Sequence, residues 1–285
     1  MKKIVWLASF PKSGNTWVRT LLTNLLNGKQ EDILNNLVAI GLSSREVLDE
    51  HMMLETSELT LREIDNYLPM AIRELANSIK SAPCFLKTHM AYTFNSYNKP
   101  IYPADVSIGA IYLVRNVLDV VVSYAHHSNC SIDDMISLME KQDYIINNYP
   151  KDIRPQIPQH YGTWGQHISG WQNQSEIPVL FIRYEDMLAD TFTSFKKIVT
   201  FSGLNATDEQ LVNAVNQSAF EKLQRQEMEV GFKERKSKNA LFFRNGKSGS
   251  WRQSLTAAQT ERIIKTHWDA MLHFNYIDAN GIPLY

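Results

Sequence analysis

Apolar and polar positions along the chain fall into two kinds of run. Short continuous apolar stretches at residues 4–8, 83–87, 107–114 and 178–182 read as buried strands. Between them, apolar residues recur at spacings of three and four, the period of an amphipathic helix. The helical pattern covers 16–26 and, more openly, 61–79, where Leu61, Ile64, Leu68, Ile72, Leu75 and Ile79 make one face and Pro69 predicts a kink or break. It returns after Asn116 through His126, at 132–146, at 159–174 and after Asp186 through Val199. Shorter helices follow at 208–216 and 219–227, and a last one at 257–272. Residues 91–105, 149–158 and 231–249 lack either period and read as loops.

Strands alternating with helices predict an α/β fold with a mostly parallel central sheet flanked by helices. No repeat, low-complexity linker or compositional break divides residues 1–285, so the expectation is one domain.

Composition changes this picture little. The chain is 44% hydrophobic and 21% charged, ordinary for a globular protein. With 29 basic and 30 acidic side chains the net charge is −1, so no global field draws nucleic acid or a polyanionic sugar; an anion site has to be local. Two cysteines, Cys84 and Cys130, have neither metal-ligand spacing nor the look of a disulfide framework. The apolar run after Lys2-Lys3 is too short for a signal peptide and is cut by Ser9 and Pro11-Lys12. No stretch approaches the roughly 18 apolar residues of a membrane span. The expectation is a cytoplasmic protein with no nucleic-acid or membrane partner.

Chemistry gathers where strands end. In open parallel sheets ligands bind beyond the carboxyl ends of the strands. After the first predicted strand comes Phe10-Pro11-Lys12-Ser13-Gly14-Asn15-Thr16-Trp17, leading into a helix. A strand–loop–helix of this kind points backbone N–H groups at one spot favoured by the helix dipole, and Lys12 adds a positive charge; the stretch reads as a phosphate cradle. It is not a Walker loop, in which lysine follows the second glycine, because Lys12 precedes Gly14 by two. An ordinary strand–turn–helix corner with a surface lysine is the alternative.

Lys87 and His89 close the second strand. A cation beside an imidazole disfavours its protonation, which suits a neutral base near pH 7; a rim lysine beside a loop histidine is the plainer reading. Arg115 ends the third strand, with Asp119 and Ser123 at four-residue spacing on the helix that follows. Its planar guanidinium suits a phosphate and Ser123 adds a hydroxyl, while Asp119 orients Arg115 or caps amides. A surface Arg–Asp pair is the alternative. Arg244-Asn245-Gly246-Lys247-Ser248-Gly249, in a loop that also carries Lys233, Arg235, Lys236 and Lys238, reads as a flexible anion-binding segment or a solvated basic linker. Trp17 and Phe220 are candidate stacking faces for a purine, or simply core.

Together these segments resemble the cytosolic-type sulfotransferase family, nearly end to end. Residues 10–17 are similar to its 5′-phosphosulfate loop, with Asn15 where threonine is commoner. Leu86-Lys87-Thr88-His89 resembles the segment with the catalytic histidine, and Tyr112-Leu113-Val114-Arg115-Asn116 with Asp119 and Ser123-Tyr124 resembles the 3′-phosphate strand and helix. Tyr184-Glu185-Asp186-Met187 and Ser218-Ala219-Phe220 resemble the adenine-contacting segments. Phe243-Arg244-Asn245-Gly246, followed by Gly249 and Trp251, resembles the C-terminal R-K-G-x-x-G-x-W loop, with Asn245 in place of lysine and Ser250 in place of an acidic residue.

The resemblance implies a phosphosulfate-binding strand–loop–helix related to P-loop folds. It implies transfer of a sulfuryl group from 3′-phosphoadenosine 5′-phosphosulfate to a hydroxyl or amine by in-line displacement, with no metal. His89 would take the acceptor proton, Lys12 would stabilise the leaving oxygen and Lys87 the sulfuryl oxygens. The donor would be held by Lys12, Ser13, Gly14, Asn15, Thr16, Trp17, Arg115, Ser123, Tyr184, Phe220, Arg244, Asn245 and Gly246. Segments 34–54, 92–102, 126–149 and 228–243 are the expected acceptor loops; their aromatic content favours a small aromatic or hydrophobic molecule. Arg252, Thr256 and Glu261 partly match the family's dimerisation motif, so monomer and homodimer both stay open. The rivals are a P-loop-like kinase using ATP and a nucleotide-binding protein without catalysis. Against the kinase, the third strand ends in Arg115 where a magnesium-binding aspartate is expected.

Overall fold

The computed structural model describes residues 2–28, 31–148, 154–235 and 241–285. The first apolar run forms β1 (Ile4–Ser9), in which every residue is buried. It leads through a tight loop into α1 (Asn15–Asn27). A two-residue strand β2 (Ile40–Gly41) and a short helix α2 (Arg45–Met52) precede the long helix α3 (Leu61–Ser78). Pro69 does not break α3. It sits buried in mid-helix beside Ile64, Leu68, Ile72 and Leu75, while Leu61 is only half-buried and Ile79 lies past the helix end; tertiary burial outweighs the one amide hydrogen bond that proline cannot make.

Strand β3 (Cys84–Thr88) and strand β4 (Ser107–Val114) follow, then helices α4 (Val117–Ser128) and α5 (Ile132–Met139). The helix predicted over 132–146 stops early: Ile145–Ile146 is β5, pairing antiparallel with β6 (Gln159–His160). That pairing also delays the next helix, α6 (Trp164–Asn173), by five residues. Strand β7 (Val179–Arg183) runs directly into α7 (Tyr184–Ala189). Asp190 then adopts a non-helical backbone and caps α8 (Thr191–Phe201) through Thr193 N–H, so one predicted helix is two. Helices α9 (Asp208–Gln217), α10 (Phe220–Val230) and α11 (Ala257–His273) complete the order. Four helices (α3, α6, α9 and α11) begin with a capping box of Thr and, three residues on, Glu or Gln.

Five strands form the central sheet, in the order β2-β3-β1-β4-β7, within an α/β fold whose sheet is parallel and flanked by helices. Ala8 pairs with Thr88, so the carboxyl ends of β1 and β3 lie side by side. The centre of the sheet, β1 and β4, is almost wholly buried, while β2 at one edge and β7 at the other are short and half-buried, which blunts the sheet edges.

The chain divides into two compact units. One comprises Met1–Phe10, Ala39–Tyr112 and Glu140–Phe181; the other comprises Pro11–Val38, Leu113–Met139 and Ile182–Tyr285. In the first, an aromatic cluster backs the sheet: Trp6 donates to Ser107 Oγ at 2.8 Å, and Tyr102 packs against Trp6 and Trp171. Tyr92 and Tyr102, expected in an acceptor loop, are core members of this cluster, whereas Phe94 and Tyr97 are exposed. Among the described residues no helix is long and apolar enough to cross a membrane.

Leu7, fully buried in β1, tests this core. Leu7→Ala removes three carbons from a site with no solvent access and should cost about 2–5 kcal/mol, read as a lower urea midpoint with an unchanged slope.

Candidate active site

Beyond β1 the chain turns through residues 11–14, with Lys12 at φ 68° and Gly14 at φ 100°. Gly14 is required there twice over. Its backbone is left-handed, and a Cβ on it would stand 2.8 Å from Tyr184 Cδ2. Gly14 also makes α1 begin without a side-chain cap, so the first-turn amides keep their hydrogen-bonding capacity. Ser13 lies beside them, 1% exposed, with a hydroxyl that has no partner among the described residues. Amides without a side-chain cap beside a buried hydroxyl at a helix N-terminus have the chemistry to receive an anion.

Arg115 packs against the same loop. It donates from Nη1 to Lys12 O and from Nη2 to Lys247 O, both at 3.1 Å, and its guanidinium stacks on the Tyr184 ring at 4.3 Å. Its buried Nε has no partner among the described residues. The fork therefore ties the loop after β1 to the C-terminal loop and keeps one donor in reserve. Behind it, the buried Glu185 carboxylate accepts from Asn116 N–H at 3.1 Å and from Tyr276 OH at 2.8 Å. Burial pushes that carboxyl up, against the pull of these hydrogen bonds. Ser123, half-buried, lies one turn beyond Asp119 on α4.

Asp119 neither pairs with Arg115 nor stays at the surface. It is 1% exposed and accepts from Gly249 N–H at 2.7 Å and Trp251 N–H at 3.1 Å, with the Ser248 and Ser250 hydroxyls at 3.4 and 3.0 Å. This explains Ser250: a carboxylate at that position would face Asp119, whereas a hydroxyl donates to it. Within the C-terminal loop Arg244 and Lys247 are exposed and Asn245 is half-buried. Gly246, at φ 60°, lies so close to the Phe220 ring that a side chain there would collide with it. Of the other basic residues in this stretch, Arg235 faces Glu227 and Lys233 donates to Asn35 O, so both are tied to structure; Lys236 and Lys238 lie outside the described residues. Trp17 and Phe220 pack on a cluster of Ile33, Leu34, Leu223, Phe232 and Phe243, and Trp17 donates to Ser218 O.

The other unit holds Lys87 in β3 and His89 just past its end. His89 Nδ1 is 2.8 Å from Ser9 O and 3.2 Å from Ser9 Oγ. A carbonyl only accepts, so in the neutral ring Nδ1 carries the hydrogen and Nε2 the lone pair. The adjacent ends of β1 and β3 thereby fix the tautomer.

The sulfotransferase domain model matches residues 2–273. This chain belongs to the sulfotransferase domain family. It is 27% identical to flavonol 3-sulfotransferase of Flaveria bidentis over 277 residues, covering 92% of this chain and 79% of that one. It is also 27% identical to sulfotransferase 1B1 of Canis lupus familiaris, over 90% of this chain and 79% of the relative. Among solved structures, mouse sulfotransferase SULT7A1 complexed with PAP shares the fold, with a TM-score of 0.63 at 20% identity over 96% of this chain and 86% of that one.

Sequence reasoning about this sulfotransferase missed two supporting residues, Glu185 as an amide anchor and His167. His167, fully buried on α6, has Nε2 2.9 Å from His89 O and Nδ1 2.8 Å from Tyr112 OH. Nε2–H must donate to the carbonyl, so Nδ1 accepts from the tyrosine. The ring is neutral, and burial lowers its pKa to about 4, against the opposing effect of its backbone hydrogen bond to His89. A buried histidine has no sequence signature; only its three-residue spacing from the apolar Trp164 and its four-residue spacing from Trp171 set it on the inner face of a helix.

The sign of its pH effect follows. The unfolded chain binds this proton near pH 6.5 and the folded chain only near 4, so His167 adds stability above pH 6.5 that is lost as pH falls toward 4. The loss amounts to about 3 kcal/mol. Urea midpoints of wild type between pH 7 and 4 should fall more steeply than those of His167→Gln; parallel profiles would refute the assignment.

Proposed function

We propose that this sulfotransferase moves a sulfuryl group from 3′-phosphoadenosine 5′-phosphosulfate to a hydroxyl or amine of a small aromatic or hydrophobic acceptor. The observation that carries the donor reading is the start of α1 without a side-chain cap, with the buried Ser13 hydroxyl beside it that has no partner among the described residues. These residues fit a terminal phosphosulfate, since they supply donors and no carboxylate. When bound, the donor supplies an activated sulfuryl group and a phosphate leaving group. Ser13, Thr16 and the amides from Gly14 onward hold the 5′ end, and Lys12 offsets charge developing on the leaving oxygen. Lys87 stabilises the sulfuryl oxygens. Arg115, with its unpartnered Nε, binds the 3′-phosphate together with Ser123 and the Arg244-Asn245-Gly246 backbone, while Tyr184, Trp17 and Phe220 meet the adenine.

His89 is the base. Its Nδ1–H is committed to Ser9 O, which leaves the Nε2 lone pair to take the acceptor proton. Preorganised donors of this kind are each worth ~10²–10³ in rate. Lysines supply the positive charge, so the reading calls for no metal. The flavonol activity in the name of one relative agrees with a flat phenolic acceptor. The setting is cytoplasmic, one domain over 1–285, as a monomer or homodimer.

Radiolabelled sulfuryl donor with a panel of phenols, alcohols and amines should yield a labelled product, and labelled ATP should yield none. Transfer from ATP alone would favour a kinase, and binding without transfer a catalytically silent relative. His89→Ala should lower turnover by about 10²–10⁴ and leave adenosine 3′,5′-bisphosphate binding near wild type; retained turnover would remove His89 from the base role. Arg115→Ala should weaken bisphosphate binding by ~10-fold or more, measured by calorimetry.

A further inference from the structure

The loop that carries Arg244 has no regular structure of its own, yet it has to hold a defined shape to meet a phosphate. One end is fixed by Asp119. At the other end, the partners come from α10. Glu227, 1% exposed, accepts from Phe242 N–H at 2.7 Å and from Phe243 N–H at 2.9 Å. Gln224 Nε2 donates to Phe243 O at 2.6 Å. Phe220 lies under Gly246, where a side chain would collide with its ring. Residues 220, 224 and 227 are spaced by four and three, so all three project from one face of the helix. A carboxylate buried to that degree is costly unless paired, and here two backbone amides and Arg235 Nη1 at 3.8 Å compensate it. The pairing extends to the lysine of the first loop: the Lys12 ammonium sits 4.0 Å from the centroid of the Phe242 ring, whose backbone Glu227 holds.

We propose that this face of α10 is the template that shapes residues 242–246 for the donor, and that Glu227 is its positioning residue. The inference rests on the donor reading above. Glu227 touches no substrate. It acts by keeping the Phe242 and Phe243 amides turned inward, which presents Arg244 and the Gly246 backbone outward and leaves the Phe242 ring against Lys12. Glutamine at position 227 keeps the volume, but only one of its two terminal atoms can accept, so one of the amides loses its partner.

The test is calorimetric titration of adenosine 3′,5′-bisphosphate into wild type, Glu227→Gln and Gln224→Ala, alongside melting temperatures without ligand. Glu227→Gln should weaken the Kd about tenfold (about 1.4 kcal/mol), and Gln224→Ala about threefold. In both, amide exchange at Phe242 and Phe243 should quicken. If Glu227→Gln does not fold, the Gln224→Ala titration decides alone. Folded variants with lower melting temperatures and wild-type Kd would mean that α10 only stabilises the loop, and would overturn the proposal. Absence of bisphosphate binding by wild type would overturn the donor reading and this inference with it; binding by wild type together with unchanged variants overturns this inference alone.

Discussion

Buried carboxylates that accept backbone amides hold the functional half of this chain together. Asp119, Glu185 and Glu227 are each at most 5% exposed, and each takes at least one main-chain N–H. Stripping water from a carboxylate costs several kcal/mol, and that cost is met only where the acceptor is saturated with well-aimed donors. The result is geometric specificity. Asn116, next to Arg115, is fixed from below; residues 249–251 are fixed from α4; residues 242–243 are fixed from α10. Around these loops three acidic groups are turned inward onto backbone amides, while Arg244 and Lys247 stay exposed.

The first loop works by the opposite device. There two buried donors, Ser13 Oγ and Arg115 Nε, have no partner among the described residues. Gly14 excludes a side-chain cap and admits the Tyr184 ring, Ser13 is buried without an acceptor, and Arg115 spends two of its N–H groups on carbonyls of two loops while keeping Nε. Unsatisfied donors beside a helix N-terminus are tolerated when a ligand completes them. In the other unit, His89 has its tautomer chosen by a neighbouring strand-end carbonyl, and its own carbonyl is held by the neutral, buried His167. The orientation of the ring thus comes from main-chain positions that the sheet register sets.

Sequence by itself determined the strands, most helices and the candidate site residues. Strand β4 is legible because burial on both faces leaves a continuous apolar run that is local in sequence. Lys12, Lys87, His89 and Arg115 are legible because strand ends are where polar groups can meet a ligand. Where long-range pairing competes, local pattern fails. The β5–β6 pairing truncates a helical period, Pro69 is carried through α3 by burial, and Tyr92 and Tyr102 turn from loop aromatics into core. Only the tertiary structure decided what Asp119, Glu185, Glu227 and His167 do. Each acts on a residue at least 15 positions away, and the worth of a carboxylate or imidazole depends on which donors the fold brings to it, which no spacing along the chain encodes.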